Sequence, residues 1–212
     1  MDIDLLTHKL DETKIMEAFK EILSIEYPDG ITFDANSLQS EPITKDGAYQ
    51  GTRLKFKAYF NGSRNDMSID LGLGDYIVNP REITFPTILD EDKPILTAYS
   101  LETIVAEKLE AMAKLLYANS RMKDFYDVYT ILNTHTLSEK TLTQAIKGTF
   151  EHRQTSLKDL QVVFSADFYN SADKQVQWAA FLTKNKITNA PDKFNEVIKG
   201  IEAKLKGLSI VK

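Results

Sequence analysis

The order of apolar and polar positions changes character near residue 100. Before it, apolar and polar side chains alternate over short runs, at residues 2–6, 31–36, 51–60, 67–73 and 95–98. A period of two is the mark of a strand that lays one face on a core. Turn formers bound the runs, as in Tyr27-Pro28-Asp29-Gly30, Lys45-Asp46-Gly47 and Asn61-Gly62-Ser63. Asn61-Gly62 is the sharpest of these signals, because both residues accept the positive φ of a two-residue hairpin turn, and it predicts that 51–60 and 67–73 are antiparallel neighbours. One helix interrupts, over about residues 11–24, with Ile15, Phe19, Ile22 and Leu23 on one face. After residue 100 the period becomes helical. Helices are expected at 100–117, 122–132, 138–150, 174–183 and 191–205, with Ser100 and Ser138 at N-termini and Pro191 in a first turn. The pattern predicts an α+β protein: a mixed-sheet domain over 1–99 followed by an α-helical domain over 100–212. No internal repeat or long Gly/Ser linker separates them.

Composition narrows the chemistry. The 212 residues are 42% hydrophobic and 27% charged, which excludes a disordered tail, a collagen-like fibre and a coiled-coil rod. No apolar run is long enough for a membrane helix and no signal-like leader opens the sequence, so a cytoplasmic protein that does not enter a membrane is expected. Without cysteine there are no disulfides, thiolate metal sites or cysteine nucleophiles. Three scattered histidines, His8, His135 and His152, make a poor metal site and are expected at the surface or at helix ends. Chemistry must then rest on carboxylates, lysines and hydroxyls. Residues 1–100 carry 10 Lys and Arg against 18 Asp and Glu, and residues 101–212 carry 16 against 13. That asymmetry suits an enzyme that holds cations in one half and polyanions in the other, and equally a chain whose charge only keeps it in solution.

Asp2 and Asp4 lie two apart in the first strand and so share a face, with Ile3 and Leu5 expected in the core. Two carboxylates so close are relieved by a divalent cation with hard oxygen ligands, or simply by solvent at a frayed terminus. In 67–75, Asp70 shares its face with Ser68, Gly72 and Gly74, which leaves room for close approach, or marks a bulge or strand end. The preceding strand sets Arg53, Lys55, Lys57 and Tyr59 on one face. Such a row, Lys57 included, holds phosphates or is an ordinary solvent face. Lys108 falls in the middle of the apolar stripe made by Leu101, Ile104, Val105, Leu109, Met112, Leu115 and Leu116, with Glu107 and Glu110 outside it. A buried ammonium needs an anion: a triphosphate, or a core acid. In 119–127, Met122, Phe125, Tyr126 and Tyr129 are expected to pack, leaving Lys123, Asp124 and Asp127 on the other face with Lys123 paired to Asp127. Dinucleotide, P-loop, nucleophile-elbow, zincin and EF-hand motifs are missing, and Trp178 reads as a core anchor.

Taken in order, these pieces resemble a known family. Asp2-Ile3-Asp4-Leu5, Tyr49-Gln50-Gly51-Thr52-Arg53, Ile69-Asp70-Leu71-Gly72-Leu73-Gly74-Asp75, Ala98-Tyr99-Ser100, Ala106-Glu107-Lys108-Leu109-Glu110-Ala111 and Ser120-Arg121-Met122-Lys123-Asp124-Phe125-Tyr126-Asp127 follow one another as in the AbiEii/AbiGii nucleotidyltransferase toxins of toxin–antitoxin and abortive-infection systems. Gln177-Trp178-Ala179-Ala180-Phe181 and Ala190-Pro191 also look like that family's last helices. The resemblance implies a nucleotidyltransferase-β-like sheet domain followed by a helical domain. It implies Asp2, Asp4 and Asp70 as ligands of Mg²⁺ or Mn²⁺, with Asp70 also accepting the proton of the attacking hydroxyl. Lys108 matches the family's nucleotide-contacting lysine, and Asp127, with Asp124 and Arg121, its last motif. The implied reaction moves a nucleoside monophosphate from a nucleoside triphosphate to RNA, tRNA above all, with a cognate antitoxin as a further partner. The family carries a Gly-Ser loop before its DxD, and this sequence opens at the DxD itself. The contrasting reading is a non-catalytic relative that binds nucleotide or a partner.

Overall fold

The computed structural model describes residues 2–7, 11–45, 48–87, 93–208 and 210, and only the backbone of 2–4, 44–45 and 48–50. His8 lies outside the described residues. The chain divides into two compact units, Met1–Asp75 and Tyr76–Lys212.

The first unit holds β1 (Asp2–Thr7), α1 (Glu12–Leu23), β2 (Ile31–Lys45), β3 (Ala48–Phe60) and β4 (Ser63–Leu73). The sheet order is β1-β4-β3-β2, with β1 parallel to β4 and the other pairs antiparallel. Asn61 (φ 48°) and Gly62 (φ 78°) make the expected hairpin turn and pair Phe60 with Ser63. That turn fixes every later pair of the hairpin, including Arg53 with Asp70 and Gly51 with Gly72. A side chain at Gly51 would put its Cβ 2.0 Å from the Leu71 carbonyl oxygen, so only glycine lets β3 lie this close to β4.

Asp11 caps α1 by accepting from the Lys14 amide. The helix sets Ile15, Met16, Phe19 and Leu23 against Leu54, Phe56, Ile69 and Leu71 on one sheet face. Ile22 and Leu5, both expected in the core, are instead 52% and 43% exposed. One helix covers only part of a sheet face, so the flanks of both elements stay open. β2 runs nine residues past its expected end because it bulges between Asp34 and Gln39 and then continues along β3. The bulge is held by the Asn36 amide to Asp34 Oδ1 and by the Ser37 hydroxyl to the Asp34 carbonyl.

The second unit opens with a two-stranded ribbon, β5 (Arg81–Thr84) and β6 (Ile95–Ala98). There follow α2 (Leu101–Leu115), a 3-10 turn (Leu116–Ala118), α3 (Met122–Thr134), α4 (Glu139–His152), α5 (Asp159–Val163), α6 (Ala166–Tyr169), α7 (Ala172–Asn185) and α8 (Phe194–Leu205). The units divide at 75/76, where the periodicity change suggested 99/100. The cause is Val78, which is buried in the helical core and bound to the start of α2. Its carbonyl accepts from Ser100 (2.6 Å) and Thr103 (3.2 Å), and its amide donates to Thr103 Oγ1 (3.1 Å). Ser100 and Ser138 are the N-caps of α2 and α4, as their positions predicted. Pro191 precedes α8 by three residues, and its carbonyl accepts from the Trp178 indole. Trp178, Phe125, Phe168 and Phe194 form the aromatic centre of this core. Both His135 and His152 are exposed. Among the described residues, no helix is long and apolar enough to cross a membrane.

Candidate functional site

In the first unit, chemistry gathers on the sheet face turned away from α1. The register sets Asp4 opposite Asp70 on the parallel pair β1–β4, and Asp70 opposite Arg53 on β4–β3. The side chains of Asp2 and Asp4 lie outside what the structure describes. Asp70 and Arg53 form a two-pronged fork, Nε to Oδ1 at 2.6 Å and Nη2 to Oδ2 at 2.7 Å. This planar geometry is the strongest form of the pair. The Arg53 guanidinium holds the Asp70 carboxyl below the ordinary aspartate range. Lys55 pairs with Glu41 at 2.7 Å. Lys57 lies four residues along β3 from Arg53, roughly 13 Å away, in register with Asp34 and Asp66. The cation row is therefore laced to neighbouring carboxylates at Arg53 and Lys55, and Lys57 stands apart from Asp70.

Among the described residues, no group of three or more acids or histidines is arranged to hold a metal ion. The donor types nevertheless fit one. A carboxylate has lone pairs beyond the two that meet a guanidinium, and hard oxygen donors on adjacent strands suit Mg²⁺ or Mn²⁺.

In the second unit, Lys108 on α2 meets Asp124 Oδ1 at 2.7 Å and Asp127 Oδ2 at 2.8 Å, both on α3. Arg121 reaches Asp124 Oδ2 at 2.9 Å. The structure thus brings all four helical candidates together. Burial alone would pull the Lys108 ammonium down; its hydrogen bonds to the two aspartates outweigh this and hold it above the ordinary lysine value.

Three expectations about this unit are corrected. Asp124 was placed on the solvent face of α3, yet it is 2% exposed. It sits one and two helical turns before Val128 and Leu132, on the buried row itself, and Lys108 and Arg121 make that burial tolerable. Asp127 pairs with Lys108, where Lys123 was expected. On α2, Glu110 is buried though it was placed outside the apolar stripe, because Arg153 (3.1 Å) and Thr155 (2.5 Å) meet its two oxygens. Arg153 also pairs with Glu107. The signal missed for Arg53 was the hairpin turn: with Phe60 opposite Ser63, counting back seven residues on each side pairs Arg53 with Asp70.

Residues 1–200 match the family model described as nucleotidyl transferase AbiEii toxin, type IV TA system. Among solved structures, JHP933 from Helicobacter pylori is similar, with a TM-score of 0.50 and 15% identity over 97% of this chain and 73% of that one. A second H. pylori chain, described as a proposed nucleotidyltransferase, gives a TM-score of 0.45 and 13% identity over 97% and 76%. No curated protein matches the sequence.

Proposed function

The chain belongs to the AbiEii nucleotidyl transferase toxin family of type IV toxin–antitoxin systems, and on that premise we propose that it is a metal-dependent enzyme that transfers a nucleoside monophosphate from a nucleoside triphosphate to RNA, tRNA being the first acceptor to try. The observation that carries the reading is the register of the parallel pair β1–β4, which sets Asp4 beside Asp70 with Asp2 two residues earlier. Asp2, Asp4 and Asp70 are the proposed metal ligands. A bound divalent cation would neutralise charge on the triphosphate and on the attacking and leaving oxygens. Lys108 contacts the nucleotide's phosphates, with Arg121, Asp124 and Asp127 fixing its position. Lys57 is the proposed outlying phosphate contact. In the reaction, an acceptor hydroxyl oxygen bonds to the α-phosphorus as the bond to the bridging oxygen breaks, and pyrophosphate leaves. The hydroxyl proton was assigned to Asp70 by resemblance. Asp70 takes that proton as the oxygen bonds to phosphorus and grows more acidic, and passes it to solvent, its fork with Arg53 making it a weaker base than a free aspartate. A cytoplasmic site of action and a cognate antitoxin belong to the same proposal.

One observation favours the second reading, a non-catalytic relative that binds nucleotide: both oxygens of Asp70 are engaged by Arg53. Each α-labelled nucleoside triphosphate, incubated separately with total bacterial RNA and Mg²⁺, separates the two. Transfer to RNA is expected, falling roughly 100-fold or more in Asp70→Ala and in Lys108→Ala. Growth inhibition that survives both substitutions would sink the enzyme and leave the binding protein.

A further inference from the structure

The bend between α2 and α3 contains neither glycine nor proline, yet it turns sharply. Leu116 adopts φ 45°, ψ −124°, a 3-10 turn follows, and Asn119 is extended at φ −71°, ψ 107°. A leucine at positive φ is strained and persists only where its surroundings hold it. What holds this bend comes from α7. The Lys174 side chain is 1% exposed and threads into the bend. Its Nζ donates to the Tyr117 carbonyl at 3.0 Å, to the Asn119 carbonyl, and to Gln177 Oε1 at 3.5 Å, with the Phe168 ring centroid 5.6 Å away. An ammonium has three protons, and three oxygens face it here. The bend passes this restraint on. Asn119 is itself buried, and its Oδ1 accepts the Arg121 amide at 2.8 Å. The Arg121 carbonyl accepts the Asp124 amide at 2.9 Å, and Arg121 and Asp124 then lead to Lys108.

We infer that Lys174 is a positioning residue: by clamping the Tyr117 and Asn119 carbonyls it sets α2 and α3 in the register that brings Asp124 and Asp127 to Lys108, and it governs nucleotide binding without touching the nucleotide. Burial accounts for the lowered basicity of this lysine, as expected of an ammonium held by neutral oxygens, with Asp173 opposing. The effect on nucleotide rests on the reading of Lys108 given above; the effect on the bend does not.

The test compares wild type with Lys174→Met in the full chain by two readouts. The first is amide hydrogen exchange at Arg121 and Asp124, with α8 as the internal reference. Exchange there should rise about tenfold or more over any change in α8. The second is binding of each of the four nucleoside triphosphates, fluorescently labelled, with Mg²⁺. Affinity should fall about tenfold, the usual cost of losing a supporting residue, and Lys174→Met should add nothing in a Lys108→Ala background. Leu116→Gly relieves the strain the clamp resists, so the Leu116→Gly/Lys174→Met pair should recover affinity, and it replaces the single variant if that does not fold. Unchanged exchange at Arg121 and Asp124 would overturn the inference, as would an equal affinity loss with and without Lys108. If wild type binds none of the four while Lys174→Met still frees the bend, the nucleotide reading fails and the positioning role stands.

Discussion

Asp124 and Asp127 both reach the Lys108 ammonium, but their surroundings differ. The Asp124 side chain is 2% exposed and that of Asp127 25% exposed. Asp124→Ala takes a buried carboxylate from both Lys108 and Arg121 while Lys108 keeps Asp127, so it should cost about 2 kcal/mol of unfolding free energy, the worth of buried hydrogen bonds between charged groups. Asp127→Ala should cost under about 1 kcal/mol, as at a wetter pair. Urea titration of the two variants checks the ranking, and equal losses would contradict the burial argument. The same cluster fixes a pH dependence. The folded Lys108 value is raised above 10.5, so its contribution is fully present below that value and is lost as pH rises through the raised one. Asp70 runs the other way. Its folded value lies below 3.8, so its contribution is present above 3.8 and is lost as pH falls through the lowered value. Stability curves for Lys108→Met should therefore lose an alkaline slope, and those for Asp70→Asn an acid one. Arg53→Lys keeps a charge but not the fork, and by NMR the Asp70 carboxyl should titrate higher in that variant than in wild type.

At the scale of elements, local chemistry was written most plainly where a few residues decide the geometry. Asn61-Gly62 foretold the hairpin, and Ser100 and Ser138 foretold two helix starts. Lys108 stood out because a cation interrupts an apolar stripe. Its partners did not, because Asp124 was assigned by the aromatic neighbours of α3 rather than by the row it shares with Val128 and Leu132. The bulge in β2 depends on Ser37, whose Oγ donates to the Asp34 carbonyl and accepts the Lys57 amide from β3, and no period shows that. The short helices α5 and α6 are too brief to display a 3.6-residue repeat. The ribbon strand β5 is exposed throughout, so it lacks the alternation that marks a strand. Ser100 offers the test proper to this scale. Its hydroxyl both caps α2 and donates to the Val78 carbonyl, so Ser100→Ala removes a cap and the shorter of the two hydrogen bonds to that buried acceptor, leaving it only Thr103. The loss should be about 2 kcal/mol, at the upper end for N-caps, where Ser138→Ala, at an exposed cap, should lose about 1 kcal/mol. Thermal melts of the two variants decide it; equal shifts would mean that the Val78 contact contributes nothing.

For the molecule as a whole, moving the boundary to 75/76 changes what the charges say. Residues 1–75 carry 8 Lys and Arg against 14 Asp and Glu, and residues 76–212 carry 18 against 17. The helical unit is thus close to neutral, and its expected basic character came from counting an acidic stretch before residue 100 with the sheet. Any hold on RNA must come from local groups such as Arg121 and Lys123 rather than from a general field. The two units also differ in how much they bury. Among the described residues, the helical core contains 27 buried hydrophobic side chains and the sheet core six, with one helix on one face. Burial of apolar surface is the main favourable term in folding, so the sheet unit should be the first to open. Its edges are weaker still: β1 has one neighbour in the sheet and so does β2. Native-state hydrogen exchange in dilute denaturant should show β1 and β2 amides exchanging first, β3 and β4 next, and α2, α3 and α8 last. If the proposed ligands Asp2, Asp4 and Asp70 do hold a divalent cation, adding Mg²⁺ should slow exchange in β1 and β4 selectively, because a ligand that binds only the folded form stabilises what it binds. Protection of β1 that already equals that of α2 without metal would contradict the ordering of the two cores. A Mg²⁺ effect that spares β1 and β4 but reaches α2 would move the metal away from the three aspartates.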